Sequence, residues 1–185
     1  MHEPVMVDEI IRLCEGVSPI RRVWDGTFGR GGHTKAFLAA FPDAHVWASD
    51  RDPAALEHGQ THFVEEIRTG RLKLQQFNFH ATQAAENSAF FDNNPFDLAL
   101  LDLGVSSPQL DNPERGFSFY HSGPLDMRMD PTQGLSAKDV VNTWTEVGLQ
   151  RLFSELGEIP RPVRVAKAIV ARRQEKPFTT TGELS

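Results

Sequence analysis

Asp25-Gly26-Thr27-Phe28-Gly29-Arg30-Gly31-Gly32-His33 is the stretch on which the fold depends. It follows Arg22-Val23-Trp24-Asp25, which reads as a strand, and leads into Thr34 to Phe41, which reads as a helix with Ala36, Phe37 and Ala40 available for packing. A strand feeding a glycine-rich turn that opens a helix is the first unit of an α/β sheet with a ligand rim. Glycines remove side chains where the backbone must approach a ligand closely, and the start of the helix supplies free N–H groups and a positive dipole end. The plain alternative is a tight turn that serves no ligand. A dinucleotide turn would read G-x-G-x-x-G, and this spacing does not fit it. Asp25 also stands directly before the first glycine, where an acid repels phosphate but attracts an ammonium group.

Working outward, Ala44 to Ser49 reads as a second strand ending at Asp50, and Asp52-Pro53 as an N-cap and first residue of a helix running to about Ile67. Leu72 to Phe77 reads as a third strand, Ala81 to Phe91 as a helix, and Phe96 to Leu101 as an apolar fourth strand ending at Asp102. A short helix over Val5 to Cys14 precedes them. Alternating strands and helices imply a parallel sheet covered on both faces. Beyond Gly104 the pattern changes. Pro108, Pro113, Gly116, Gly123, Pro124, Pro131 and Gly134 punctuate a long loop region. Helices are then predicted over Ala137 to Trp144 (with Ser136 as N-cap), Val147 to Leu156 and Val163 to Arg173, and Thr179 to Ser185 has the form of a further helix start.

The chain has 185 residues, 39% hydrophobic and 24% charged, as an ordinary globular protein has. No apolar run is long enough to cross a bilayer, and the N-terminus has no signal-peptide pattern, so no membrane is expected. The single cysteine, Cys14, excludes an internal disulfide and fits a reducing compartment, with the cytoplasm as the default. A net charge of −6 argues against a protein that coats nucleic acid indiscriminately. Arg151, Arg161, Arg164, Lys167, Arg172, Arg173 and Lys176, against Glu155, Glu158 and Glu175, form a local basic segment that is either a solvated helix face or a second surface with its own partner.

Three acids, Asp25, Asp50 and Asp102, fall at strand carboxyl ends, which is where such sheets bind ligands. Asp50 is placed to bond ribose hydroxyls, a role common to NAD and S-adenosylmethionine. Phe77-Asn78-Phe79 ends the third strand, and one of its two rings, with Phe79 preferred, is positioned to stack on adenine. His33, at a helix start, reads as a structural or ligand-orienting group ahead of a general base. Asp102, with Ser106 and Ser107 in the loop that follows, forms the candidate catalytic set, suited to holding an amine in line with a methyl donor. The seven histidines are scattered and Cys14 has no partner, so no metal site is expected.

His2-Glu3-Pro4-Val5-Met6-Val7-Asp8-Glu9, the glycine turn, Asp50-Arg51-Asp52-Pro53, Asp102 to Asp111, Glu114 to Phe119 and Gly123 to Asp130 closely resemble the ribosomal RNA small-subunit methyltransferase H family. The resemblance implies transfer of a methyl group from S-adenosylmethionine to N4 of a cytidine in small-subunit (16S) rRNA. It implies a class I methyltransferase, Rossmann-like parallel sheet with strand order 3-2-1-4. The partial cofactor domain would span residues 1–105 and a loop and helical substrate-recognition segment residues 106–185. By the family's pattern Gly31, Gly32, His33, Asp50, Phe79, Asp102 and Gln109 contact the cofactor, joined by Asp25 on the charge argument above. The loop from Ser106 to Asp130 would face RNA, with Arg115 and Arg128 meeting phosphate or a splayed base.

Two departures follow. Gly157-Glu158-Ile159-Pro160-Arg161-Pro162 stands where the family continues a helix, and its prolines should break or delay it. Family members also run longer and add further strands. The chain is therefore expected to be a fragment, a truncated variant or a self-associating remnant, with the fourth strand as an exposed apolar edge. A truncated form that binds cofactor or RNA without turnover is the main alternative to an active enzyme; an NAD-linked oxidoreductase is the outlying one.

Overall fold

A computed structural model describes residues 4–14, 16–17, 19–81, 89–92, 94–118 and 120–185. The chain divides into two compact units, residues 1–106 and 107–185.

In the first unit four parallel strands, β1 (Arg22–Asp25), β2 (His45–Asp50), β3 (Leu72–Gln76) and β4 (Leu98–Leu100), form one sheet in the order β3-β2-β1-β4. The expected Rossmann-like half-sheet is therefore present. Trp24 pairs with Trp47 on one side and with Ala99 on the other, so β1 is an interior strand and β4 an edge. The period-2 alternation of strands divides the side chains between two faces. Val23, Val46 and Ala48 point to one face and are wholly buried, with Phe28, Phe37, Leu56, Phe63 and Leu72. Trp47 points to the other, where it packs with Phe77, Phe90, Trp24, Phe91 and Phe96. The first face is covered by α1 (Val7–Cys14), α2 (Gly32–Ala40) and α3 (Pro53–His62).

Two expectations need correction, and a third lies largely outside the described residues. The helix after Pro53 does not run unbroken to Ile67. It stops at His62, and α4 (Val64–Arg68) starts anew. The break is Phe63, at φ −120° and ψ 36°, whose buried ring meets the edge of Phe28 at 5.6 Å between centroids. Core burial of that ring outweighs one continuous helical hydrogen-bond ladder. The fourth strand is three residues long, because Phe96 joins the aromatic cluster and Leu101 is already 41% exposed. The helix read over Ala81 to Phe91 falls largely on residues 82–88, outside the described residues; single 3-10 turns lie at Phe79–Ala81 and Ala89–Phe91.

The second unit is helical. It contains α5 (Ser107–Asp111), unanticipated in the loop region, then α6 (Ala137–Thr143), α7 (Glu146–Glu155), α8 (Pro162–Glu175) and α9 (Thr181–Leu184). Ser136 and Asp139 close a capping box on α6, and Thr180 and Glu183 close one on α9. The prolines act as expected: α7 ends at Glu155, and α8 begins with Pro162 in its first turn, after Arg161 in the left-handed region at φ 65°. Leu125, Val141, Leu149, Ala166, Ile169 and Phe178 form the core of this unit. Among the described residues its only β pairing is an isolated bridge between Pro124 and Thr180.

Candidate functional site

The turn after β1 is stitched to its neighbours through backbone bonds. Gly26 N–H donates to the Leu100 carbonyl at 2.9 Å and Phe28 N–H to the Ser49 carbonyl at 3.0 Å. Gly29 N–H donates to Asp50 Oδ2 at 2.8 Å, and Asp102 N–H to Thr27 Oγ1 at 2.7 Å. The carboxyl ends of β1, β2 and β4 thus form one connected rim, and Asp25, Asp50 and Asp102 occupy it in three different ways.

Asp25 is 0% exposed. Its carboxylate accepts from Thr34 Oγ1 at 2.7 Å and from Thr27 N–H at 3.2 Å. Burial raises its pKa, while those two bonds and His33 pull the other way. Its side chain is turned into the turn rather than toward an ammonium group at the surface, so the geometry makes it a positioning residue. Asp50 is half-buried, and its two oxygens take the Gly29 and Asp52 N–H groups. Burial raises its pKa as well, against those bonds. A carboxylate has about four lone-pair sites, so Asp50 retains capacity for hydroxyl donors. Asp102 is exposed at the surface, held only through its backbone among the bonds described here.

The glycines have distinct tasks. Gly31 caps α2 in the left-handed region at φ 73°, and a Cβ there would lie 2.6 Å from the Phe63 ring and 2.7 Å from Phe28. Gly32 packs beneath the Pro4 ring. Both accommodate the protein's own side chains. Gly29, at φ 54°, has the Thr27 carbonyl near its missing Cβ, at 3.9 Å, so the space beside it is open although its N–H is given to Asp50. No side chain caps the N-terminus of α2. His33 is buried, and its Nε2 bonds the Val5 carbonyl at 2.9 Å. That contact ties down the N-terminal segment and fits the structural side of the expectation. A cleft of about 430 Å³ lined by Pro4, Met6, Val7, Asp8, Glu9, Gly32 and Ala36 borders the start of α2.

Of the two aromatic candidates, Phe77 is buried against Phe90 and Phe91, whereas Phe79 is half-exposed in the 3-10 turn beyond β3. Ser106 closes the first unit and is half-buried.

Within the second unit, Ser107 opens α5 and Gln109 is buried in it. The two arginines expected to meet RNA hold their own loop. Arg115 donates to the carbonyls of Arg128 and Met129 at 3.1 and 2.8 Å. Arg128 grips Asp126 with two nitrogens, its Nη2 at 2.6 Å, and that pair holds the Asp126 carboxyl below its ordinary range.

Compared with known proteins, residues 1–185 match the MraW methylase family from end to end. The chain belongs to the MraW methylase family. The ribosomal RNA small subunit methyltransferase H of Bdellovibrio bacteriovorus is 46% identical over 186 residues, covering 100% of this chain and 55% of the relative. That of Gluconobacter oxydans is 46% identical over 186 residues, and that of Rhizobium etli 45% over 189, covering 54% and 51% of those proteins. This MraW-family chain thus spans about half the length of the curated relatives it matches.

Sequence reasoning passed over Thr27 and Thr34, which organise the MraW-family turn in this chain by bonding Asp25 and Asp102. The signal for Thr27 was present, since an Asp bonding the N–H two residues on is an Asx turn. Thr34 gave none, because its hydroxyl meets Asp25 only once the helix folds back on the strand. Among the described residues no group of three or more His, Cys, Asp or Glu is placed to hold a metal, and no helix is long and apolar enough to cross a membrane.

Proposed function

We propose that this chain carries the S-adenosylmethionine site of a methyltransferase acting on N4 of a cytidine in small-subunit rRNA, working in the cytoplasm. The observation that carries the reading is similarity over the whole of this chain, at 46% identity, to about half the length of proteins named ribosomal RNA small subunit methyltransferase H. The rim fits the cofactor chemically. The uncapped start of α2 suits the methionine carboxylate. Asp50 suits the ribose hydroxyls, and half-exposed Phe79 suits the adenine face. When bound, S-adenosylmethionine supplies an electrophilic methyl group. Asp102, with Ser106 and Ser107, then orients the cytidine amine, whose lone pair must point along the line of transfer. Gln109 as a cofactor ligand, and Arg115 and Arg128 as substrate residues, rest on the family's pattern. Arg115 and Arg128 act by shaping the loop that carries them.

The second reading, a form that binds cofactor or RNA without turnover, is motivated by the exposed apolar residues just beyond β4, where Leu101, Leu103 and Val105 are 41%, 70% and 42% exposed. Calorimetry with S-adenosylhomocysteine should show one site. Labelled S-adenosylmethionine should then mark unmethylated small ribosomal subunits. Binding without transfer selects the second reading, and no binding removes both. The β4 edge further predicts concentration-dependent self-association in sedimentation; a monodisperse monomer would count against it.

A further inference from the structure

The basic run from Arg151 to Lys176 is sorted by the structure into two sets. Arg173 donates to the carbonyls of Val141 and Trp144 at 2.7 and 2.8 Å. Lys176 bonds Glu183 at 2.6 Å, and the Arg172 guanidinium lies 4.2 Å from the Phe178 ring centroid. Those three hold the unit together. Arg151, Arg161, Arg164 and Lys167 are exposed, and among the described residues no acid pairs with their side chains.

Arg164 and Lys167 stand three residues apart in the first half of α8, so they are neighbours on its surface, and Arg161 is the N-cap residue just before the helix. Ala168 and Ala171, four residues on from Arg164 and Lys167, are exposed and small. The one acid within α8, Glu175, is its last residue, about 12 Å from Lys167 at 1.5 Å per residue. Glu158 precedes the helix and makes no ion pair with them among the described residues. Residues 107–185 carry ten basic and ten acidic residues, so the whole net charge of −6 belongs to residues 1–106. Against that background this edge is a local concentration of mobile, unneutralised cations, which is what a phosphate backbone recognises.

We infer that the basic edge made by Arg164 and Lys167 of α8, with Arg161 at its start, docks the phosphate backbone of the RNA substrate, outside the loop that carries Arg115 and Arg128. The inference rests on the rRNA reading above and adds the surface that holds the RNA. Phosphate contacts of this kind fix register and orientation, and leave base choice to other residues.

The test uses the full 185-residue chain and a fluorescent small-subunit rRNA fragment, with anisotropy followed across a salt series. The double variant R164E/K167E should bind at least tenfold more weakly than the unaltered chain. Its plot of log affinity against log salt should be shallower by about 1.4 to 1.8, the loss of two phosphate contacts. A charge-matched control on the first unit, R12E/R68E, should keep both affinity and slope. Unchanged S-adenosylhomocysteine binding by calorimetry, with unchanged circular dichroism, shows that the variant is folded. If the unaltered chain binds RNA and R164E/K167E binds with the same affinity and slope, the edge is a solvated face and the inference is overturned while the rRNA reading stands. If the variant binds naked RNA normally but intact subunits weakly, the partner is an acidic protein surface and RNA docking is again overturned. If the unaltered chain binds no RNA, the rRNA reading itself fails.

Discussion

Asp25 shows how a single residue can be located by sequence while its surroundings are not. Its place at a strand end was legible. Its burial was not, because that depends on Thr34, nine residues later, folding back to meet it at 2.7 Å. A buried acid that keeps two hydrogen bonds makes a sharp prediction. Asp25→Ala leaves the Thr34 hydroxyl and Thr27 N–H without their acceptor and should cost about 1–3 kcal/mol in urea unfolding. Asp25→Asn keeps the shape, can accept from Thr27 and donate to Thr34, and should fold. The pH dependence separates them further. The folded pKa of Asp25 is raised, so its contribution to stability is fully present below the unfolded value near 3.8 and is lost as pH rises through the folded value. Asp25→Asn should therefore unfold with a flatter pH profile just above pH 4 than the unaltered chain; an unchanged profile would mean that Asp25 does not titrate there. The glycines give a second contrast. Gly31→Ala meets two aromatic rings as well as a left-handed backbone and should cost about 2–4 kcal/mol, whereas Gly29→Ala, with open space, should cost about 1–2. If the open space beside Gly29 is where the cofactor sits, Gly29→Ala will lose S-adenosylhomocysteine affinity while remaining folded, which calorimetry on the purified variant reads directly.

Elements were legible where one local rule decides them and illegible where packing does. The parallel strands followed from apolar runs bounded by turn residues, and α6 from Ser136 three residues before Asp139. The break at Phe63 left no local mark, since neither glycine nor proline stands there; it exists because that ring reaches Phe28. Helix α6 is seven residues long, too short to persist alone, and it is held at both ends by other groups. Its N-terminus has the Ser136–Asp139 box, and its last carbonyls have Arg173 of α8. The same substitution at two places on α8 should thus behave differently. Arg173→Met removes two charge-assisted bonds and should cost about 2–3 kcal/mol. Arg164→Met, on the exposed edge, should stay within about 0.5. Equal effects in urea titrations would show that α6 does not depend on its anchor.

At the scale of the whole molecule, the two units respond to acid with opposite signs. In residues 107–185, Arg128 lowers the pKa of half-buried Asp126, and Lys176 brings half-buried Glu183 down to about 2. A lowered folded pKa contributes stability above the unfolded value, and that stability is lost as pH falls toward the folded one. For Glu183 the window runs from about pH 4.5 down to about 2. In residues 1–106, burial raises Asp25 and Asp50, so the same fall in pH relieves the cost of two buried charges. Asp97 and Glu65 of that unit are lowered by Arg21 and Arg22 N–H groups and by Arg68, but both lie at the surface, where solvent screens them. Acid unfolding should therefore not be two-state. In amide NMR spectra taken from pH 7 to 2.5, the resonances of residues 107–185 should disappear before those of the β3-β2-β1-β4 sheet. Glu183→Gln, which removes the acid brought down to about 2, should weaken the second unit at neutral pH and narrow the interval over which acid unfolds it. Simultaneous loss of both sets would mean that the units unfold as one, and the opposite order would mean that burial of Asp25 and Asp50 does not govern the acid response of the sheet.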